Sequence, residues 1–360
     1  MLGFFAKNSE HYRQSAIGLA KVEAIYFPSI TLLIGLSTLV TIMIGGLYHI
    51  NNPERIGLDT IVEFVMYVNM LTFPVSAIGL TASMIQRAAA SQKRINAFLD
   101  TEPEIKNTPA SKPFVFKEEI KFENIEFTYP DTGIKAMTEF NLSIKKGEKI
   151  AVVGRTGSGK TTLAQVLLRM FDPQQGKVTI DGVDLRGYNL NSLRAAMSYV
   201  PQDVFLFSDT VHNNIAFGLN SADRDDVEAA ARKACVHDDI LGFAQGYETM
   251  IGERGVTLSG GQKQRISIAR ALIKEPDLVI FDDCLSAVDA RTEKEIIGNL
   301  RVYLRDRTSI IITHRIFALM EFDKIIVLDH GKIVEQGTHN ELLALGGYYA
   351  TLYAKQQESE

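Results

Sequence analysis

GRTGSGKTT, from Gly154 to Thr162, decides how this chain folds. The apolar run Lys149–Val153 (KIAVV) leads straight into it and reads as a buried strand, and Thr161 to Met170 reads as a helix. A G-x-x-x-x-G-K-[ST] pattern between a strand and a helix is a phosphate-binding loop. Glycines 154, 157 and 159 let the backbone curl so that its N–H groups face the phosphates, and the helix N-terminus adds partial positive charge. Lys160 is placed to reach the β- and γ-phosphates of a nucleotide, and the Thr161 hydroxyl to hold Mg²⁺. Arg155, Thr156, Ser158 and Thr162 complete the nucleotide-binding loop.

Further along, DLVIFDD at Asp277–Asp283 has the pattern of a buried parallel strand ending in two carboxylates. Asp282, at the strand end, is the expected partner of the Mg²⁺ shell. Between these motifs lies LSGGQ, Leu258, Ser259, Gly260, Gly261 and Gln262. Ser259 is a good N-cap for a helix over Gln262–Leu272, with two glycines at its mouth, and such an end binds an anion well.

Upstream the character changes. A bilayer core needs about 20 apolar residues as a helix. Ala24–Ile50 and Ile61–Ile85 both satisfy this, and Asn51–Thr60 reads as a short polar turn. Lys7, Arg13 and Lys21 precede the first span and Arg87, Lys93 and Arg94 follow the second, whereas the connecting loop holds Arg55. Basic residues mark the cytoplasmic side, so both ends are expected there. Glu63 is either a pathway carboxylate or, closer to its position, a headgroup-level residue near the outer interface. Polar helical extensions at His11–Glu23 and Gln86–Asp100 read as stalks, and proline-rich Thr101–Pro113 as a linker. The expected organisation is 1–100 membrane helices, 101–118 linker and 119–360 nucleotide-binding domain.

A length of 360 residues fits about two domains. The net charge of −5 gives no support to nucleic-acid binding, which favours a basic face. Cys235 and Cys284 lack metal-ligand spacing and read as reduced thiols with packing roles.

A phosphate loop, then LSGGQ, then a strand ending in carboxylates, all behind an apolar N-terminal segment, resembles the ATP-binding cassette (ABC) transporters, specifically the exporters. The resemblance covers essentially the whole chain and makes the nucleotide ATP. It implies two transmembrane helices plus an α/β P-loop ATPase domain, with an antiparallel β subdomain over about Glu119–Ile150 and a helical subdomain over roughly Asn213–Ala271. A tail helix is expected around His339–Lys355. By resemblance, Tyr129 stacks on adenine, and Gln202 touches Mg²⁺ and the attacking water. His314 contacts the γ-phosphate as a switch, Gly252–Gly255 is the exporter-type segment before the signature, and Ser286–Asp289 crosses to a partner subunit. LSGGQ then docks in trans on ATP held by the opposite cassette. The implied setting is a multi-pass subunit in the plasma membrane with a cytoplasmic cassette, acting on a lipophilic or amphipathic substrate.

Two departures stand out. Hydrolytically competent relatives usually carry glutamate after the Mg²⁺-binding aspartate, and this chain has Asp283, one methylene shorter. The implied arrangement is a degenerate catalytic site in a heterodimer, with a homodimer or a non-transporting ATP-sensing subunit as alternatives. Family exporters also carry six spans per subunit where two are read here, so the sequence is expected to be a fragment beginning at an internal methionine.

Overall fold

The computed structural model describes residues 2–52, 54–219, 221–252, 257–313 and 322–357, and it divides into two units, Met1–Glu102 and Pro103–Glu360. The first unit is a pair of long helices, α1 (Leu2–Asn51) and α2 (Leu58–Leu99). Both are long and apolar enough to cross a membrane. Their hydroxyl side chains bond back to the helix they sit on: Ser29 donates to the Ile25 carbonyl and Thr38 to that of Ile34. This removes the cost of placing them in hydrocarbon. Small residues let the pair approach. A Cβ on Gly45 would lie 2.9 Å from Ile61, and one on Gly79 would lie 2.9 Å from the Tyr26 hydroxyl. The helices extend past the expected spans at both ends. The loop is shorter than expected, because Gly57 caps α2 and Asp59 joins its first turn. Glu63 accepts a hydrogen bond from Tyr67 one turn along.

The second unit begins with β1 (Glu119–Thr128), β2 (Lys135–Lys145), β3 (Lys149–Gly154), α3 (Lys160–Leu167), β4 (Gln175–Ile180) and β5 (Val183–Asp184). There follow α4 (Leu190–Ala195), β6 (Met197–Val200), β7 (Asp209–Thr210), α5 (Val211–Ala216), α6 (Arg224–Lys233) and α7 (His237–Leu241). Next come β8 (Met250–Ile251), α8 (Gly260–Leu272), β9 (Leu278–Asp282), α9 (Ala290–Tyr303) and β10 (Thr308–Ile312). The unit closes with β11 (Lys324–Asp329), β12 (Lys332–Gly337), α10 (His339–Leu345) and α11 (Tyr348–Gln357).

One sheet has the order β12-β11-β3-β10-β9-β6 and is parallel except for the β11–β12 pair. The inner strands of such a sheet are buried on both faces, and β3, β9 and β11 are accordingly mostly apolar, whereas the edge strand β12 (KIVEQG) is partly exposed. Alternate residues feed different cores. Ile150 and Val152 of β3 face the antiparallel subdomain, while Ala151 and Val153 pack with Leu342 and Tyr349 of the tail helices. In β9, Leu278 and Ile280 join the first core, while Val279 and Phe281 join the helical subdomain built on α5–α9.

The antiparallel sheet, β2-β1-β4-β5, differs from the expected Glu119–Ile150 block. Ile150 belongs to the parallel sheet, and β4 returns from beyond the P-loop helix to pair Ile120 with Ile180. The expected single tail helix is two helices, because Gly346 takes a left-handed φ of 66° and ends α10.

Residues 103–118 lie along this unit rather than hanging free. The Leu190 N–H donates to the Asn107 side chain at 2.7 Å, and Lys112 exchanges backbone bonds with Gly187 and Asn189. Three N–H groups, of Lys117, Glu118 and Glu119, converge on the Asp181 carboxylate at 2.7–3.0 Å.

Candidate active site

Strand register brings the expected residues to one edge. Gly154 ends β3, Asp282 ends β9 opposite Ile312 of β10, and Val200 of β6 stands opposite Phe281. The loops after β3, β6 and β9 therefore leave the carboxyl edge of the sheet together, which is where open α/β sheets hold ligands.

The loop after β3 needs its glycines. Gly154, Gly157 and Gly159 have φ of 151°, 79° and 102°. A Cβ on Gly159 would also meet the Ala136 carbonyl oxygen at 2.5 Å. Gly159 caps α3 without any side-chain hydrogen bond, so the first N–H groups of the helix face the loop's concavity. Lys160 is buried, and its Nζ donates to the carbonyls of Gly154 and Arg155 at 2.9 and 2.8 Å. Burial lowers its pKa, opposed by the charges of Asp282 and Asp283. The Ser158 hydroxyl is buried with no partner among the described residues. Uncapped donors, a buried ammonium and an orphaned hydroxyl fit a polyphosphate. Arg155 and Thr156 are exposed, and the Arg155 guanidinium lies 5.8 Å from the Tyr348 ring centroid.

Asp282 is 2% exposed and accepts from Tyr199 at 3.0 Å and from Thr161. Burial raises its pKa, and neighbouring Asp283 adds to this, while the two hydroxyls and Lys160 oppose it. Burial and then the Asp282 charge push the Tyr199 phenol well above its ordinary range. A carboxylate held at this cost beside a threonine hydroxyl fits the shell of a divalent cation. Gln202, on the loop after β6, points its amide at Asp283 across a long 3.5 Å contact. Asp283 takes a left-handed φ of 45°, with its N–H bonded to the Ile312 carbonyl. His314 and residues 253–255 of the exporter-type segment lie outside the described residues.

Tyr129 sits against the same helix. Its hydroxyl contacts Thr162 at 2.9 Å and donates to Gln165 at 2.8 Å, and its ring meets Phe127 and Phe171 edge-on.

LSGGQ forms a separate constellation at the head of α8. Ser259 accepts from the Gln262 N–H, and the Gln262 side chain returns the bond to the Ser259 N–H, making a capping box. The N–H groups of Gly260 and Gly261 belong to the first turn, where helix geometry supplies no carbonyl partner. Leu258 is buried in the helical core. Asp239 braces the turn from below, accepting from Gln262 at 3.0 Å and pairing with Arg265 at 2.8 Å.

Sequence reasoning did not pick out Tyr199, Asp239 or Gln264 as site residues. Each acts through a partner brought close only by folding, at separations of 83, 26 and 22 residues.

Comparison with known proteins shows what the chain resembles. Residues 137–286 match the family model described as ABC transporter. MdlA of Escherichia coli (strain K12), a multidrug resistance-like ATP-binding protein, is 40% identical over 353 residues, covering 98% of this chain and 59% of that protein. The ATP-dependent lipid A-core flippase of Pseudomonas fluorescens (strain Pf0-1) is 38% identical over 351 residues, covering 97% and 58%. A solved ATP-bound bacterial Atm1-family ABC exporter superposes with a TM-score of 0.84 at 34% identity, covering 98% of this chain and 62% of that one. The chain thus spans less than two thirds of the length of these relatives.

Proposed function

As this chain belongs to the ABC transporters, we propose that it is the ATP-binding and ATP-hydrolysing subunit of an exporter. In this reading it couples nucleotide-driven closure of two cassettes to movement of a lipophilic or amphipathic substrate across a cell membrane. The observation that carries this is the convergence of Lys160, Thr161, Asp282, Asp283 and Gln202 at one sheet edge, with a second anion-type helix end on α8. The apolar helices α1 and α2 supply the membrane part, and the basic residues flanking the spans favour a cytoplasmic cassette.

The α3 N-terminus and Lys160 hold the phosphates of ATP, and Tyr129 lies where an adenine ring stacks. Thr161, Asp282 and Gln202 would hold Mg²⁺, which would supply neutralisation of the phosphate charge. Asp283 and Gln202 orient the attacking water, and Asp283 accepts its proton as the γ-phosphoryl bond breaks and ADP leaves. By resemblance alone, His314 takes the role of the γ-phosphate switch. Ser259, Gly260 and Gly261 meet the γ-phosphate of ATP held by the partner subunit, so that ATP joins the two cassettes.

The short Asp283 side chain favours a slow site in a heterodimer, with the intact LSGGQ completing the faster site of the partner. The same residue supports a second reading, an ATP-sensing subunit without transport. Vesicle transport by the full-length assembly, compared with Lys160→Ala in this chain, separates them. Loss of substrate movement with Lys160→Ala supports export, and unchanged movement overturns it.

A further inference from the structure

The turn that faces the partner's nucleotide and the residue that faces this chain's own are joined inside the molecule. Gln264, two residues beyond LSGGQ on α8, is 5% exposed. Its Oε1 accepts from the Ala287 N–H at 3.0 Å, and its Nε2 donates to the Ser286 hydroxyl at 3.2 Å. Ser286 in turn donates to the Asp283 carbonyl at 3.0 Å. The glycines close the remaining gap. A Cβ on Gly260 would lie 3.2 Å from the Ala287 Cβ, and one on Gly261 would lie 3.0 Å from the Ala287 oxygen. The signature turn and the 286–288 loop are therefore in direct contact and held in register by one buried amide.

We propose that Gln264 is a positioning residue that fixes the signature turn to the Asp283–Ala287 segment, so that nucleotide contact at either composite site displaces the other. This rests on the trans-acting reading of LSGGQ above. An amide suits the task because it accepts from a backbone N–H and donates to a hydroxyl at once. A shift of ~1 Å in such a support costs ~10²-fold in rate.

The test uses the full-length assembly in lipid nanodiscs, with Gln264→Met, which keeps the packing volume, Ser286→Ala, and the double variant. Expected are a fall in kcat of tenfold or more with Gln264→Met, a KM for ATP within twofold of the parent, and a double variant no slower than Gln264→Met alone. Melting temperature is measured alongside. A kcat per folded molecule within twofold of the parent, or losses that multiply in the double variant, overturns the proposal. Ser259→Arg serves as the control. If it leaves turnover intact, the trans-acting reading fails. If it abolishes turnover while Gln264→Met does not, only the positioning role fails.

Discussion

Replacing Asp283 by Glu moves the carboxylate outward by one methylene, ~1.5 Å along the side chain. If reach limits the site, a correction of that size is worth up to ~10²-fold in hydrolysis, or about 2.7 kcal/mol of barrier. The backbone works against the change. Asp283 holds a φ of 45°, a region Asp tolerates and longer side chains resist at about 1 kcal/mol. The substitution is therefore expected to lower the melting temperature by roughly 2–4 °C while raising turnover. The assay is single-turnover hydrolysis of radiolabelled ATP by the full-length assembly, with Ser259→Arg present to silence the partner's site. A rise of less than threefold, with the melting temperature inside that window, refutes the argument that this carboxylate is too short.

Gly261→Ala is expected to cost more than Gly260→Ala, about 3 against 1 kcal/mol by thermal unfolding, because its Cβ meets a backbone oxygen rather than a methyl group. Equal losses would show that the 286–288 loop yields freely. Tyr199→Phe removes the hydroxyl that Asp282 accepts, and is expected to weaken Mg²⁺-dependent ATP binding ~10-fold in a Mg²⁺ titration with fluorescent nucleotide. Asp181→Ala should destabilise the protein by about 2 kcal/mol at pH 7 by chemical denaturation, since it strands three N–H groups. Burial alone would raise the Asp181 pKa, but bonds from Glu119, Glu118 and Lys117 outweigh it and the folded value is lowered. Its stabilisation is thus complete above the ordinary carboxylate pKa of 3.8 and disappears as pH falls through the lower folded value. The difference between parent and variant should shrink only below about pH 4.

Much of the cassette was legible because its signals are local. Gly154–Thr162 carries its own strand, turn and helix, and Asp282 follows an unbroken apolar strand. Ser259 announced a helix start, and the structure adds the capping box. The antiparallel sheet is legible but its bounds are not, because its pairing skips across the P-loop helix and no local pattern ties Ile120 to Ile180. The tail reads as one helix although Gly346 and Gly347 carry a stop signal, because Tyr349, Leu352 and Tyr353 resume a helical spacing of large packed side chains immediately afterwards. Tyr199 and Gln264 were invisible as site residues for a plainer reason. An aromatic on a core strand and an amide on a helix acquire meaning only from what folding sets against them.

The seam along residues 103–118 bears on how movement could enter the cassette. A free chain of that length would be a slack tether, with an end-to-end distance of roughly 20–25 Å and ample room to absorb displacement. Asn107 and Lys112 are instead stitched to the 187–190 segment. The residues left between the last turn of α2 and Asn107 are therefore fewer than the length of the linker suggests. Under the exporter reading, a glycine-serine insertion at Glu102 lengthens that stretch without changing any residue of the nucleotide site, and is expected to lower vesicle transport more than ATP turnover.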